Sequence, residues 1–499
     1  MRAESDVFIV GGGINGVGLA VDAAGRGLTV SLCEKGDLAS GTSSASSKLI
    51  HGGLRYLEQY EFGMVRAALA EREILLRKAP HLIQPLEFVF PYAKHLRPAW
   101  LIRLGLYFYD HLAAHPSLPS SRKIHFKHDP RGLPLKSEYI LGFSYYDCHT
   151  DDARLVVTNA LAAIALGAEI QTRTECIAAE KVGCGWQLQL KNHRTQAITT
   201  HHTKVLINAT GPYLPQFQKQ IHTGLDAIDV PVQLIKGSHI VIPKIYAGDQ
   251  AYILQSTDKR VVFAIPYQQD YTLIGTTDIA YDEDVSRVHA TPAEIAYLCA
   301  LTNTYFQHQI KPEDIVWSYA GVRCLQSEDK NRPSDISRDY KFDFDAELQL
   351  LTIVSGKLTT YRKLSEIAID SLRAVYPDLK PAWTSNAVLP GGDFPDRSFS
   401  RFYQECRQEF AWLPEQLLLR YAQSYGTRLH QLLENCKTLT DLGTEMTHDL
   451  YEKEIHYLCE HEWAETSEDI LWRRTKLGLK ATLLQIDKLN SYLSSFLKQ

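Results

Sequence analysis

No run of apolar residues in this 499-residue chain reaches the ~18 that a membrane-crossing helix needs. Its nine cysteines are scattered and odd in number, and no C-x-x-C occurs. That excludes a disulfide framework and a thiolate metal site, and a reducing cytosol is the expected compartment. The 19 histidines form no H-E-x-x-H, so no metal is expected; His201 and His202 read as a solvated loop pair. A formal net charge of −5 argues against bulk nucleic-acid binding. The first strand begins within the first ten residues, so no leader segment is expected. Repeats and low-complexity segments are missing, and the length suits two or three domains.

What is present starts with "DVFIVGGGINGVGLAVDAAGRGLTVSLCEK", from Asp6 to Lys35. An apolar strand at Val7–Val10 runs into Gly11-x-Gly13-x-x-Gly16 and then into a helix over Val17–Ala24. The first glycine permits the tight turn, the second admits a pyrophosphate close to the backbone, and the third lets helix pack on strand. The helix N-terminus offers unpaired N–H groups to the phosphates. Glu34 closes the next strand, where an acid meets a ribose hydroxyl and would repel a 2′-phosphate. This fingerprint separates NADP from the rest, but not NAD from FAD.

Further along, "RAALAEREILLR" (66–77) reads as a helix with its charges on one face, and Asp152–Gly167 as another. "VLINA" (205–209) and "LLTIV" (350–354) are buried strands, the second leading through Ser355-Gly356 into a helix over Lys357–Val375. Between Gln233 and Thr277 short alternating strands predict an antiparallel sheet outside the dinucleotide unit. A Pro/Gly-rich break at 386–398 precedes a helical C-terminal region, where Thr466 and Asp469 form a capping pattern.

Two of these turns argue for FAD. Gly211, at the end of "VLINATGPY", and Gly356 each place a turn at the end of a buried strand, as a long cofactor with an extended ring requires. Reduced flavin carries negative charge, which a helix N-terminus and Lys357 would stabilise. In "GTSSASSKLIHGGLRYLE" the hydroxyls of Thr42 to Ser47 suit a pyrophosphate and a flavin edge, and Gly52-Gly53 allow close backbone approach beneath a ring.

"GGGINGVGLAVDAAGRGL", "TSSASSKLIHGGLRYLE", "IKGSHIV", "IGTTD", "GVR" and "GKLTTYR" together resemble the aerobic, respiratory FAD-dependent glycerol-3-phosphate dehydrogenases, and "LWRRTKLG" extends the likeness into the C-terminal region. Cys324 stands where that family is expected to have proline, and Ser355 where glycine is usual. The resemblance implies a Rossmann-type α/β FAD-binding domain (1–80, 150–230, 335–388). Interleaved with it is an antiparallel-sheet substrate domain of the glycine- and D-amino-acid-oxidase kind (81–149, 231–334), and an all-helical domain follows (389–499). It implies FAD as cofactor, held by Gly11, Gly13, Gly16, Glu34, Thr42, Ser43, Ser47, Lys48, His51, Gly52, Gly53, Gly211, Gly356, Lys357, Leu358 and Thr359. It also implies oxidation of glycerol 3-phosphate to dihydroxyacetone phosphate, with electrons passed to a membrane quinone.

A phosphate monoester needs fixed cations, for which Arg55, Arg323 and Lys357 are candidates, with Tyr56 and Thr276 as hydroxyl donors. Alcohol oxidation needs a base; His239 is the candidate, with Arg323 or Lys357 as rivals, and His51 is expected to contact flavin or buttress its turn.

Residues 92–131 carry Lys94, Arg97, Arg103, Arg122, Lys123, Lys127 and Arg131 around the aromatic stretch "LRPAWLIRLGLYFYDHL". This segment is the expected contact with the inner face of the cytoplasmic membrane, each cation contributing ~1 kcal/mol on an anionic surface. A second basic cluster, Arg473, Arg474, Lys476 and Lys480, suits the same surface or a homodimer contact. Rival readings are an oxidase that reduces oxygen to peroxide, an amine or amino-acid oxidase, and a non-catalytic FAD-binding redox module.

Overall fold

The structure, a computed structural model, describes residues 3–93, 96–112, 117–223, 230–257, 260–326 and 340–498. The apolar run at its start builds strand β1 (Glu4–Val10), whose last four residues are buried. Gly11 then takes φ +116°, a left-handed conformation open to glycine, and turns the chain into helix α1 (Ile14–Gly25). A Cβ on Gly16 would lie 1.9 Å from the Gly11 carbonyl oxygen, so only glycine lets α1 sit this close to the turn.

β1 pairs in parallel with β2 (Val30–Cys33) on one side and with Ile198–Asn208 on the other. Leu350–Ser355 continues the parallel set beyond Ile198–Asn208. Nine strands form this sheet among the described residues. Helix α4 (Asp152–Ala165) and the helix Tyr361–Ser371 pack on α1 to cover it. Val7, Ile9, Leu19, Leu155 and Leu351 are fully buried in the shared core.

The second sheet has ten strands among the described residues. Val232–Pro243 is its spine, antiparallel to both Trp317–Gln326 and Tyr271–Gly275. The sheet is mixed rather than antiparallel throughout, because Ala251–Gln255 lies parallel to Ile83–Pro91. Leu49–Ile50, just after the serine-rich loop, forms an edge of this second sheet, so the loop bridges the two. The C-terminal region packs helices around Leu417, Tyr421, Leu458 and Leu489, with a small hairpin, Glu445–Thr447 and Leu450–Tyr451, among them.

Three expectations are corrected by burial. His201 is not solvated: it lies inside Ile198–Asn208, its ring 4.7 Å from Phe8 and its Nε2 2.9 Å from Ser5 Oγ. The charges of α2 (Phe62–Lys78) point partly inward, Glu71 accepting two bonds from Arg362 and Arg72 donating to Asp147. Arg473, Arg474 and Lys476 are all buried. The two arginines grip the buried carboxylate of Asp37, and Lys476 reaches Asp151 at 3.0 Å; Lys480 alone is half exposed, paired with Asp270. Sequence charge shows sign but not partner, and these partners lie hundreds of residues away. Breaking one such buried pair costs ~3–5 kcal/mol, since the survivor is left charged and unpaired.

Replacing Gly16 by alanine should cost at least ~1–3 kcal/mol, because a backbone carbonyl cannot yield to the new methyl. Gly63→Ala in α2, whose Cβ meets nothing within 4 Å, should leave the thermal midpoint unchanged or raise it. Equal losses in both variants on calorimetry would remove the close-approach argument.

Candidate functional site

A cavity of about 1700 Å³ runs between the two sheets. It exceeds the roughly 300–1,000 Å³ typical of small-ligand pockets, so it has room for a dinucleotide and a substrate together. Its lining brings together Gly11, Gly13 and Glu34, the loop residues Thr42, Ser43 and Ser47, Gly211, and His51, Gly53, Arg55, Tyr56, Thr276, Arg323, Gly356, Lys357, Leu358 and Thr359.

The dinucleotide turn follows from α1. Gly13 contributes no side-chain cap, and the Ile14 N–H donates to Ser43 Oγ at 3.0 Å, tying the serine loop to the helix start. The Glu34 carboxylate accepts from Gly12 N–H at 2.7 Å and Gly36 N–H at 2.8 Å. Burial raises its pKa against those two bonds. Asn15, which the sequence reading passed over, also lines the cavity and holds a buried Oδ1 with no hydrogen-bond partner.

The floor beneath the loop is bare by design of register. Gly237 sits opposite Gly321 on neighbouring strands. A Cβ on Gly321 would press at 3.0 Å on Ala45, and one on Gly237 would lie 2.5 Å from Thr276 Oγ1. Neither glycine stood out in the sequence, because strand pairing alone brings them together.

Arg323 donates through Nη1 to Asp278 Oδ1 at 2.8 Å, and Lys357 Nζ stands 4.3 Å over the Tyr56 ring. Thr359 Oγ1 accepts from the His51 N–H at 3.1 Å, which fixes the imidazole to the turn ahead of Tyr361–Ser371. Burial pushes the His51 pKa down; Asp147 opposes this, while Lys357, Arg55 and Arg323 add to it. Both the burial and the surrounding cations thus favour the unprotonated ring. Asp278 belongs to the quoted "IGTTD", yet only Thr276 was singled out there; its pairing with Arg323 depends on tertiary structure.

Four expected site residues stand behind the wall. Gly16 packs α1, as described. Lys48 is buried, with Nζ 2.9 Å from both Asp152 Oδ1 and the Ser44 carbonyl, so it buttresses the loop. The Gly52 N–H donates to Tyr109 Oη at 2.9 Å, and its missing Cβ makes room for Leu69 and Tyr109. His239 is 1% exposed, shares a 2.8 Å hydrogen bond with Ser47 Oγ and stacks on Tyr319 at 4.8 Å between centroids. Gly275 faces it, where a Cβ would come within 2.0 Å of the imidazole. Burial, then Lys48 and Arg323, hold its pKa well below the usual 6.5.

Comparison with known proteins agrees with this geometry. The profile described as FAD dependent oxidoreductase matches residues 6–339, and that of the C-terminal domain of alpha-glycerophosphate oxidase matches 382–491. A glycerol-3-phosphate dehydrogenase of Pseudomonas aeruginosa is 49% identical over 494 residues, covering 98% of this chain and 95% of its own. The aerobic glycerol-3-phosphate dehydrogenase of Escherichia coli K12 is 45% identical over 502 residues, covering 99% and 98%. The D-erythritol 1-phosphate dehydrogenase of Brucella abortus is 45% identical over 479 residues, covering 96% and 95%. Among solved structures, the glycerol-3-phosphate dehydrogenase of Bacillus halodurans complexed with FAD superposes with a TM-score of 0.77 at 25% identity, covering 100% of this chain and 95% of that one.

The residues present fit FAD. The close glycine turn admits a pyrophosphate, and the buried Asn15 Oδ1 in the cavity wall has no hydrogen-bond partner among the described residues. FAD is the cofactor, and the chain belongs to the FAD-dependent glycerol-3-phosphate dehydrogenase family.

Proposed function

We propose that the chain oxidises sn-glycerol 3-phosphate to dihydroxyacetone phosphate and passes the electrons to a membrane quinone. The observation that carries this reading is that Arg55, Arg323 and Lys357 line one cavity together with His51, whose pKa burial and these cations push down. Bound FAD supplies a two-electron acceptor beside the alcohol carbon. The three cations hold the phosphate dianion, arginine being suited to bidentate contact. Tyr56 and Thr276 are placed to donate to substrate oxygens. His51 takes the hydroxyl proton as the carbon gives up its hydrogen with the electron pair, and the carbonyl forms. His51 is preferred to His239 because it lines the cavity, whereas His239 acts through Ser47 as a positioning residue.

Electron exit is supported by α3 (Ala99–Leu112). Trp100 is 69% exposed, with Leu104, Tyr107 and Phe108 exposed beside it; Tyr60, 80% exposed, and Phe62 adjoin. Leu104, Phe108, Tyr60 and Phe62 also line the cavity, so its mouth opens within an apolar surface. That is where a lipid-soluble acceptor would enter, with the protein peripheral to the inner face of the cytoplasmic membrane. No helix among the described residues is long and apolar enough to span a bilayer. Segment 92–131 divides: Lys94 lies outside the described residues, while Arg122–His125 pairs in the second sheet and Arg131 is held by Glu87 and Asp129. Among the described residues, α3 carries the exposed aromatic part of the segment.

Three measurements test this reading. Arg323→Ala should lower kcat/KM for glycerol 3-phosphate at least tenfold, mainly through KM, as loss of a charged bond of ~1.5–3 kcal/mol requires. The same assay with D-erythritol 1-phosphate ranks the two polyols, and a clear preference for the tetritol would replace the substrate assignment. His51→Asn should lower kcat by roughly 10²–10⁴ and abolish an acid limb of the rate profile lying below pH 6.5, where protonation removes the base. If His239→Asn removes that limb and His51→Asn keeps it, the assignment is reversed. Replacing Trp100 and Phe108 with serine should reduce binding to anionic vesicles and quinone reduction while sparing reduction of a soluble dye; equal loss of both activities would refute the membrane reading.

A further inference from the structure

The helical C-terminal region lies outside the cavity, yet its buried cations reach both ends of the loop that forms the cavity wall. At the near end, Asp37 accepts from Arg473 Nε at 2.6 Å and from Arg474 Nη1 and Nη2 at 2.7 and 2.8 Å. Asp37 and Arg474 are both almost wholly buried. The bonds are worth more than burial costs this carboxyl: desolvation pushes its pKa up, but Arg474 and Arg473 bring it to about 2. At the far end, Lys476 Nζ lies 3.0 Å from Asp151 Oδ1 and 3.2 Å from the Arg473 carbonyl. Asp151 caps α4, and its neighbour Asp152 accepts from Ser46 Oγ at 2.7 Å and from Lys48 Nζ. Between these anchors run Ser40 to Ser47, of which all but Ser44 line the cavity.

We propose that Arg474 and Lys476 are positioning residues for the cofactor: through Asp37 and Asp151 they hold the serine loop closed along the dinucleotide, so the C-terminal region sets how tightly FAD is retained. Two charged anchors explain why arginines and a lysine are buried at this junction, where apolar packing would have joined the domains as firmly. Apolar contacts permit sliding, whereas a bidentate Arg474–Asp37 fork fixes distance and orientation.

The test uses purified full-length holoenzyme, below its first unfolding transition, and follows release of FAD by the rise of free-flavin fluorescence while circular dichroism reports the fold. Arg474→Met and Lys476→Met should each weaken FAD binding at least tenfold with unchanged helix content. Should Arg474→Met fail to fold, Asp37→Asn combined with Arg474→Met removes both charges together and should show the same weakening. Arg420→Met provides the comparison: Arg420 pairs with Glu454 wholly within the C-terminal region, so it disturbs that region without touching the loop. FAD affinity unchanged in the anchor variants, or weakened equally by Arg420→Met, would overturn the proposal.

Discussion

Arg55, Arg323 and Lys357 repel one another, and an enclosed cavity with little water makes that repulsion stronger. Much of the surrounding structure answers this constraint. Asp278 lies against Arg323, and the Tyr56 ring lies under Lys357. Further back, Asp147 accepts from Arg72, from Tyr109 Oη and from the Gly52 N–H, placing negative charge behind the turn that carries His51. The cavity wall therefore concentrates positive charge, and that charge together with burial disfavours protonation of His51.

The same architecture explains which residues were legible from sequence. Gly11, Gly13 and Glu34 were readable because strand, turn, helix and acid lie within thirty residues and their roles are local. Arg323 and Lys357 stand out in the sequence because a phosphate demands cations near a second glycine turn, and both line the cavity. His239 misled: its motif marks the neighbourhood, but strand register places it against Gly275 and Tyr319, behind Ser47. Gly237 and Gly321 gained meaning only as opposed partners. Segment-level reading found the second sheet but took it as antiparallel, since a parallel pair formed by Ile83–Pro91 and Ala251–Gln255 leaves no local mark.

Charge was the least legible feature. Glu71 and Arg72 read as part of one charged helix face, and Arg473 and Arg474 as a membrane or dimer surface, yet each is buried in an ion pair. Composition favours the solvated reading, because such side chains are rarely buried unless paired. Here pairing is what joins the regions: Arg362 to Glu71, Arg474 to Asp37 and Arg154 to Glu462 each link distant parts of the chain.

The interleaving of the two sheets also bears on how the protein is made. β1 needs Ile198–Asn208 beside it, and that strand needs Leu350–Ser355. At ~5–20 residues per second, roughly 20–70 s separate synthesis of the first strand from the last of these. During that interval β1 and β2 form an apolar ribbon with unpaired edges on a ribosome-bound chain, a surface that invites aggregation. The last anchors, Arg473 and Arg474, emerge after almost the entire chain. Assembly of this sheet therefore waits on pairings across hundreds of residues, so its folding is governed by long-range contacts rather than local ones.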